Sequence, residues 1–135
     1  MKPGVARSVA NFAGLLRNDI APELTGFRAG NAGMMANMFD MVAQEWDRAA
    51  ARLIAENAAL RALLARGGVA DVPADDGDLR VSALEAANEA LRFKLIDLHI
   101  AVEQRGVGEA KSLENAIWEL LRDSVENRRI ASANF

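Results

Sequence analysis

From about Phe27 to Arg66 the chain runs without a proline, its apolar residues recurring at three- and four-residue spacings up to Leu60, Leu63, Leu64 and then Gly67-Gly68. That periodicity predicts one helix over about 27–66, which at 1.5 Å per residue would be about 60 Å long and more than a domain of this size can cover with itself. Three shorter helices are predicted around it. Val5, Val9, Phe12 and Leu16 make one apolar stripe, giving a helix over about 5–20 that stops before Pro22, since proline disfavours the helical conformation in the residue before it. A third helix over about 82–105 has the strictest spacing: Val81, Leu84, Asn88, Leu91, Leu95, Leu98 and Val102 form a heptad seam with one polar interruption. Ser82 and Glu85 stand at capping-box spacing at its start. The fourth, over about 112–130, contributes Leu113, Ile117, Leu120, Leu121 and Val125, with Arg122, Arg128 and Arg129 towards the end where cations favour the helix dipole. No stretch alternates as a strand would.

The back half of the long helix carries a seam of its own, Trp46, Ala50, Leu53, Asn57, Leu60 and Leu64, again with one asparagine. Length sets the expected architecture. The first and third helices, at about 24 and 36 Å, together match the long one, so each is expected to lie antiparallel against half of it, with the fourth doubling back on the third. The fold expected is therefore all-α: an antiparallel helical bundle of four helices in one domain. Around the front half of the long helix this supplies only a two-helix hairpin, which cannot enclose a core, so dimerisation by two-fold symmetry is expected to complete it. Antiparallel pairing across the linker would also bring Asn57 and Asn88 within about one helical turn, or 5.4 Å along the axis, where their amides should hydrogen-bond.

Residues 67–79 (GGVADVPADDGDL) read as an exposed acidic linker. Its aspartates, Asp71, Asp75, Asp76 and Asp78, do not reproduce the calcium-loop pattern and lack its closing glutamate. The 16 basic and 19 acidic residues are spread along the chain for a net charge of -3, leaving no electrostatic footprint for nucleic acid or an anionic membrane. No apolar run approaches the ~20 residues that would cross a bilayer. Zero cysteines exclude a disulfide framework, a cysteine nucleophile and thiolate metal sites, and suit a cytoplasmic bacterial protein. The basic, acid-free start from Met1 to Asn18 loosely resembles a transit peptide, but its stripe and Asn11 favour a docked amphipathic helix.

Candidate chemistry is sparse. Met34, Met35, Met38 and Met41 crowd one part of the long helix beside Phe27, Phe39, Val42 and Trp46. Methionine is unbranched and polarizable, so such a patch can pack against varied surfaces, and Phe27, Met34, Met35, Met38, Met41, Val42 and Trp46 are expected to form a core, oligomer or partner interface. Along the same face Arg28, Asn31 and Glu45 recur among the apolar positions and could build a buried polar site, or lie at the edges with their charges in water. The single histidine, His99, cannot supply the paired Glu-x-x-His motifs of a di-metal bundle, so no metal and no cofactor are expected. Ser82 and Ser112 sit where caps are expected, and neither lies in a nucleophile elbow.

The amphipathic helix ending in Leu15-Leu16, the turn from Pro22 to Phe27, and Arg28, Asn37 and Glu45 spaced along a helix give residues 12–64 a pattern that resembles an uncharacterised group of short all-helical bacterial proteins. Those proteins are encoded beside acyl-CoA dehydrogenases and aminoglycoside-phosphotransferase-like proteins. The resemblance implies an accessory role in acyl-CoA metabolism and carries over no catalytic residue. The function expected is thus a non-enzymatic homo-oligomeric interaction protein. The alternative is a cofactor-independent enzyme of chorismate-mutase type, in which converging arginines clamp two carboxylates between long helices. Arg48, Arg52, Arg61 and Arg92 are available for that, although none falls on an apolar seam.

Overall fold

A computed structural model describes residues 4–105 and 108–131, and every regular element among them is helical. Helix α1 spans Val5–Leu15, α2 Gly26–Arg66, α3 Val81–Arg105 and α4 Glu109–Asn127. A π turn, Leu16–Ile20, and a 3-10 turn, Ala21–Glu23, prolong α1 up to Leu24, which is extended. Among the described residues no helix is long and apolar enough to cross a membrane. The chain divides into two compact units, Met1–Ala49 with Arg129–Phe135, and Ala50–Arg128.

In the first unit α1 packs on the front of α2 through small residues. Ala13, Ala32 and Ala36 are buried, while Val5 and Phe12, two of the four stripe residues expected to dock, are exposed. The docked row is Ala6, Val9, Ala13 and Leu16, one position round from the expected stripe at two of its four places. Alanines on both helices let the backbones approach closely, which larger side chains at the seam would prevent. Phe12 instead lies beside Phe39, ring centroids 6.4 Å apart. The π turn aims Arg17 at α2, where its guanidinium donates to Asp40 at 2.5 Å and Asn37 at 3.2 Å.

The second unit overturns one expectation. Asn57 meets Asn88, and Gly67 meets Leu98, the same separation of 31 positions at both places. A constant difference means that the back half of α2 and helix α3 run parallel; an antiparallel pair would keep the sum constant instead. The linker makes this possible by folding back along α2, so that α3 starts level with Ala50, where the unit's stretch of α2 begins. Helix α4 does run antiparallel to both, since Ser112 meets Arg66, Ser124 meets Arg92 and Arg128 meets Glu56. The three helices enclose Leu60, Leu63, Leu64, Leu91, Leu95, Leu98, Val102, Leu113 and Ile117, with Val69 and Val72 of the linker packed against them.

The turn that starts this reversal is written in two adjacent glycines. The Gly68 N–H bonds Ala65 O at 3.0 Å and the Val69 N–H bonds Leu64 O at 3.0 Å, with Gly68 at φ +73°, a Schellman close that glycine adopts at little cost. Gly67 serves a different purpose: a Cβ there would stand 2.6 Å from both Leu98 methyl carbons. Helix α3 begins at Val81, with the Leu84 N–H bonding Arg80 O, so Ser82 lies inside the first turn and not at the cap. Asp78 accepts the Arg80 N–H at 2.9 Å.

Candidate functional site

Two features of the molecule combine chemistry with position: a buried polar network in the second unit, and rows of large apolar side chains left on the surface.

The network centres on Glu56, whose side chain is 7% exposed on α2. Arg92 of α3 donates to its Oε1 from Nε at 2.9 Å and also from Nη2, while Arg128, just past α4, reaches both oxygens at 3.1 and 3.3 Å. Asn88 donates to Glu56 Oε1 at 3.1 Å and to Asn57 Oδ1 at 2.9 Å. Arg92 also bonds Asn88 Oδ1 and the buried Ser124 hydroxyl. Asn57 passes the chain onward, donating to Leu84 O at 3.2 Å and to Asp76 Oδ1 at 2.9 Å. Arg61 closes the far end on Asp76 at 2.5 Å and on the carbonyls of Pro73 and Asp75 at 2.8 and 3.0 Å. One connected set of hydrogen bonds therefore ties α2, α3, α4 and the linker.

Its electrostatics are those of a structural clamp. Burial by itself would raise the Glu56 pKa, but hydrogen bonds from Arg92 and Asn88 and the charges of Arg92 and Arg128 outweigh it, leaving the carboxyl below its ordinary value. Asp76 is lowered chiefly by the Arg61 hydrogen bond, against burial and with help from Asn57. A carboxylate held ionised by two guanidiniums is a poor general base, because proton uptake would break the pairs that hold it. The linker aspartate expected in solvent is thus a docked strut, with its side chain 7% exposed.

Each of the four arginines of the enzyme reading is engaged within its own unit or has interactions of its own. Arg61 and Arg92 are held by their own chain's acceptors, Arg48 donates to Arg129 O at 2.9 Å, and Arg52 has interactions of its own. Beside Glu56 a groove of about 450 Å³ runs between α2 and α4, floored by Ala55, Ala59, Ala62 and Leu120. Among the described residues no group of three or more His, Asp or Glu side chains could hold a metal ion. His99 is half-buried, edge-on to Trp118 with centroids 5.4 Å apart.

The methionine face lies open. Phe27, Met34, Met35, Met38, Val42 and Trp46 are 52–84% exposed, and Met41 is half-buried, so within one chain these residues form a surface and not a core. Arg28 and Asn31 are exposed and Glu45 half-buried, so these three build no buried polar site within one chain. Among the described residues the buried polar ones are instead Glu56, Asn57, Asn88 and Ser124. The two seam asparagines were legible from sequence; Glu56, next to Asn57, and Arg92, one turn after Asn88, were the charges beside them that completed the pattern.

A second exposed row was also missed. Phe93, Ile96 and Ile100 lie on the side of α3 opposite its buried seam, and Trp118 and Val125 are exposed on α4. Comparison with protein-family models, curated proteins and solved structures gives no match to this chain.

Proposed function

We propose that this chain works by association, as a non-enzymatic, homo-oligomeric helical accessory protein of the cytoplasm whose contact surface is the methionine-rich face of α2. The observation that carries the reading is the row of Phe27, Met34, Met35, Met38, Val42 and Trp46, each more than half exposed along one helix. Scattered apolar residues need no explanation, but a continuous row of this size marks a surface that another molecule covers. A second copy completes the bundle whose front half holds too few helices to enclose a core, and the adaptable methionines suit a surface that also meets a partner enzyme. Acyl-CoA metabolism is the setting that the resemblance of residues 12–64 favours. The closed state of the Glu56 network and the engaged arginines support an interaction role over a catalytic one.

The test is the mass of the purified protein in solution by light scattering, beside that of Met38→Glu. The variant is expected to keep its helical content and lose subunits. A wild-type chain that stays monomeric and fully helical at micromolar concentration overturns self-association. Recovery of the homo-oligomer alone from the native host under mild conditions overturns a stable enzyme partner.

A further inference from the structure

We infer that the outer face of α3 and α4 is a second self-association surface, on which a second copy docks two-fold so that α3 of each subunit lies against α4 of the other. The inference goes beyond the methionine face, which belongs to the other unit of the chain.

Helix α3 is apolar on two opposite sides. Leu84, Asn88, Leu91, Leu95, Leu98 and Val102 are buried. Round the helix from them Ser82, Ala86, Glu89, Phe93, Ile96, Ile100 and Glu103 repeat the same four-three spacing, and all seven are exposed. A helix with seams on two sides has two neighbours to satisfy. Next to that outer seam α4 presents Trp118, 48% exposed, and Val125, 66% exposed, with Lys111 and Arg122 on the same side. His99 joins the two rows through its edge contact with Trp118.

Size and charge both point to a copy of the same chain. Phe93, Ile96, Ile100, Trp118 and Val125 are 48–66% exposed. With large side chains offering roughly 150–250 Å² each, they leave on the order of 500 Å² of apolar surface in the open, near the upper end for a monomer. With a polar rim that approaches the ~800 Å² per partner of a stable interface. The flanks then choose the arrangement. The outer side of α3 carries only acids, Glu85, Glu89, Asp97 and Glu103, whereas that of α4 mixes the bases Lys111 and Arg122 with Glu126 and with Glu114, which pairs with Lys111 at 3.0 Å. Placing α3 on its own copy would set acid against acid. A two-fold axis parallel to the helices places α3 on the partner's α4 instead, its acids against the face that holds the bases Lys111 and Arg122, and makes every adjacent pair in the four-helix layer antiparallel.

The register follows without adjustment. Such an axis keeps each residue at its own height, and within one chain Trp118 is level with His99. The partner subunit's Trp118 therefore lands between Ile96 and Ile100. Arg122 lies four residues further on, about 6 Å along the axis. That sets the partner's Arg122 near the height of Asp97.

The experiment uses full-length chains and two reversed charges, Asp97→Arg and Arg122→Asp, both at exposed positions. Each variant alone is expected to lose this contact, halving the native mass while keeping its circular dichroism. Mixed together, the two variants are expected to associate with each other and not with themselves, because both inter-subunit contacts then pair opposite charges; a pairing inside one chain would show no such rescue. Ile96→Glu is expected to halve the mass whether or not Met38→Glu is also present. Unchanged mass for Ile96→Glu, or no mixed species from the two charge variants, overturns the inference. A mass insensitive to Met38→Glu counts only against the methionine face, so the two surfaces stand or fall separately.

Discussion

Asn88 donates its amide to Asn57 across the α2–α3 seam at 2.9 Å, and both side chains are buried. Each amide also holds a charged neighbour, Asn88 through Glu56 and Asn57 through Asp76. Removing one partner leaves a desolvated group without its bond, at a cost of about 1–3 kcal/mol. Asn57→Leu and Asn88→Leu should each destabilise by about that much. The double variant should fall short of their sum by about 1 kcal/mol in a urea double-mutant cycle. A coupling near zero would contradict the shared bond.

Glu56 is the most sensitive position in the second unit. Glu56→Gln removes the charge that Arg92 and Arg128 face, and deleting one member of a buried pair costs about 3–5 kcal/mol. Arg128 is 45% exposed, so solvent screening reduces the expected loss to about 2–3 kcal/mol. The pH dependence has a definite sign. Glu56 and Asp76 both have folded pKa values below their unfolded ones, so the stability they add is present above the ordinary carboxylate range of about 4 and is lost as pH falls through the depressed values. Urea midpoints measured from pH 7 down to pH 3 should drop for the wild type and drop less for Glu56→Gln.

The buried seam of α3 could be read from the chain almost residue by residue, because a heptad of leucines records which side of a helix is covered. It does not record direction: the same spacing fits a parallel and an antiparallel neighbour. The information lay in the fourteen residues between Arg66 and Val81. Helix–helix connections in bundles usually take 2–8, so so long a linker can retrace a helix before starting the next. The buried charges were hidden for a related reason. Periodicity assigns Glu56 and Arg92 to the flanks of their seams, and only the parallel register brings them together beneath Arg128. The outer row of α3 was legible too, and was masked by the stronger seam on the same helix.

The two glycines that end α2 should fail differently. Gly67→Ala drives a methyl into Leu98, and overpacking of this kind costs about 1–3 kcal/mol. Gly68→Ala has open space but a left-handed backbone, which costs about 1 kcal/mol. Leu98→Ala should therefore relieve part of the Gly67→Ala penalty and none of the Gly68→Ala penalty. Thermal denaturation of the three single and two double variants reads this directly, and equal rescue of both glycines would refute the assigned roles.

Arg61 should govern whether the linker stays on the bundle. Its guanidinium donates to Pro73 O, Asp75 O and the Asp76 carboxylate, and its side chain is 12% exposed. Arg61→Ala removes all three bonds and leaves Asp76 with Asn57 as its remaining donor, an expected loss of about 2–3 kcal/mol. The more specific consequence is local. Val72 packs against the leucine core from one side of the anchored stretch and Leu84 O takes an Asn57 hydrogen from the other, so freeing residues 73–78 loosens the return without unwinding the helices it joins. Limited proteolysis should cut the variant first within 73–78, where the wild type resists, while far-ultraviolet circular dichroism stays close to wild type. Asp76→Asn should show the same cleavage more weakly, since it removes the charge and keeps an acceptor. First cleavage outside the linker, or equal resistance of variant and wild type, would show that hydrophobic packing of Val69 and Val72 alone holds it in place.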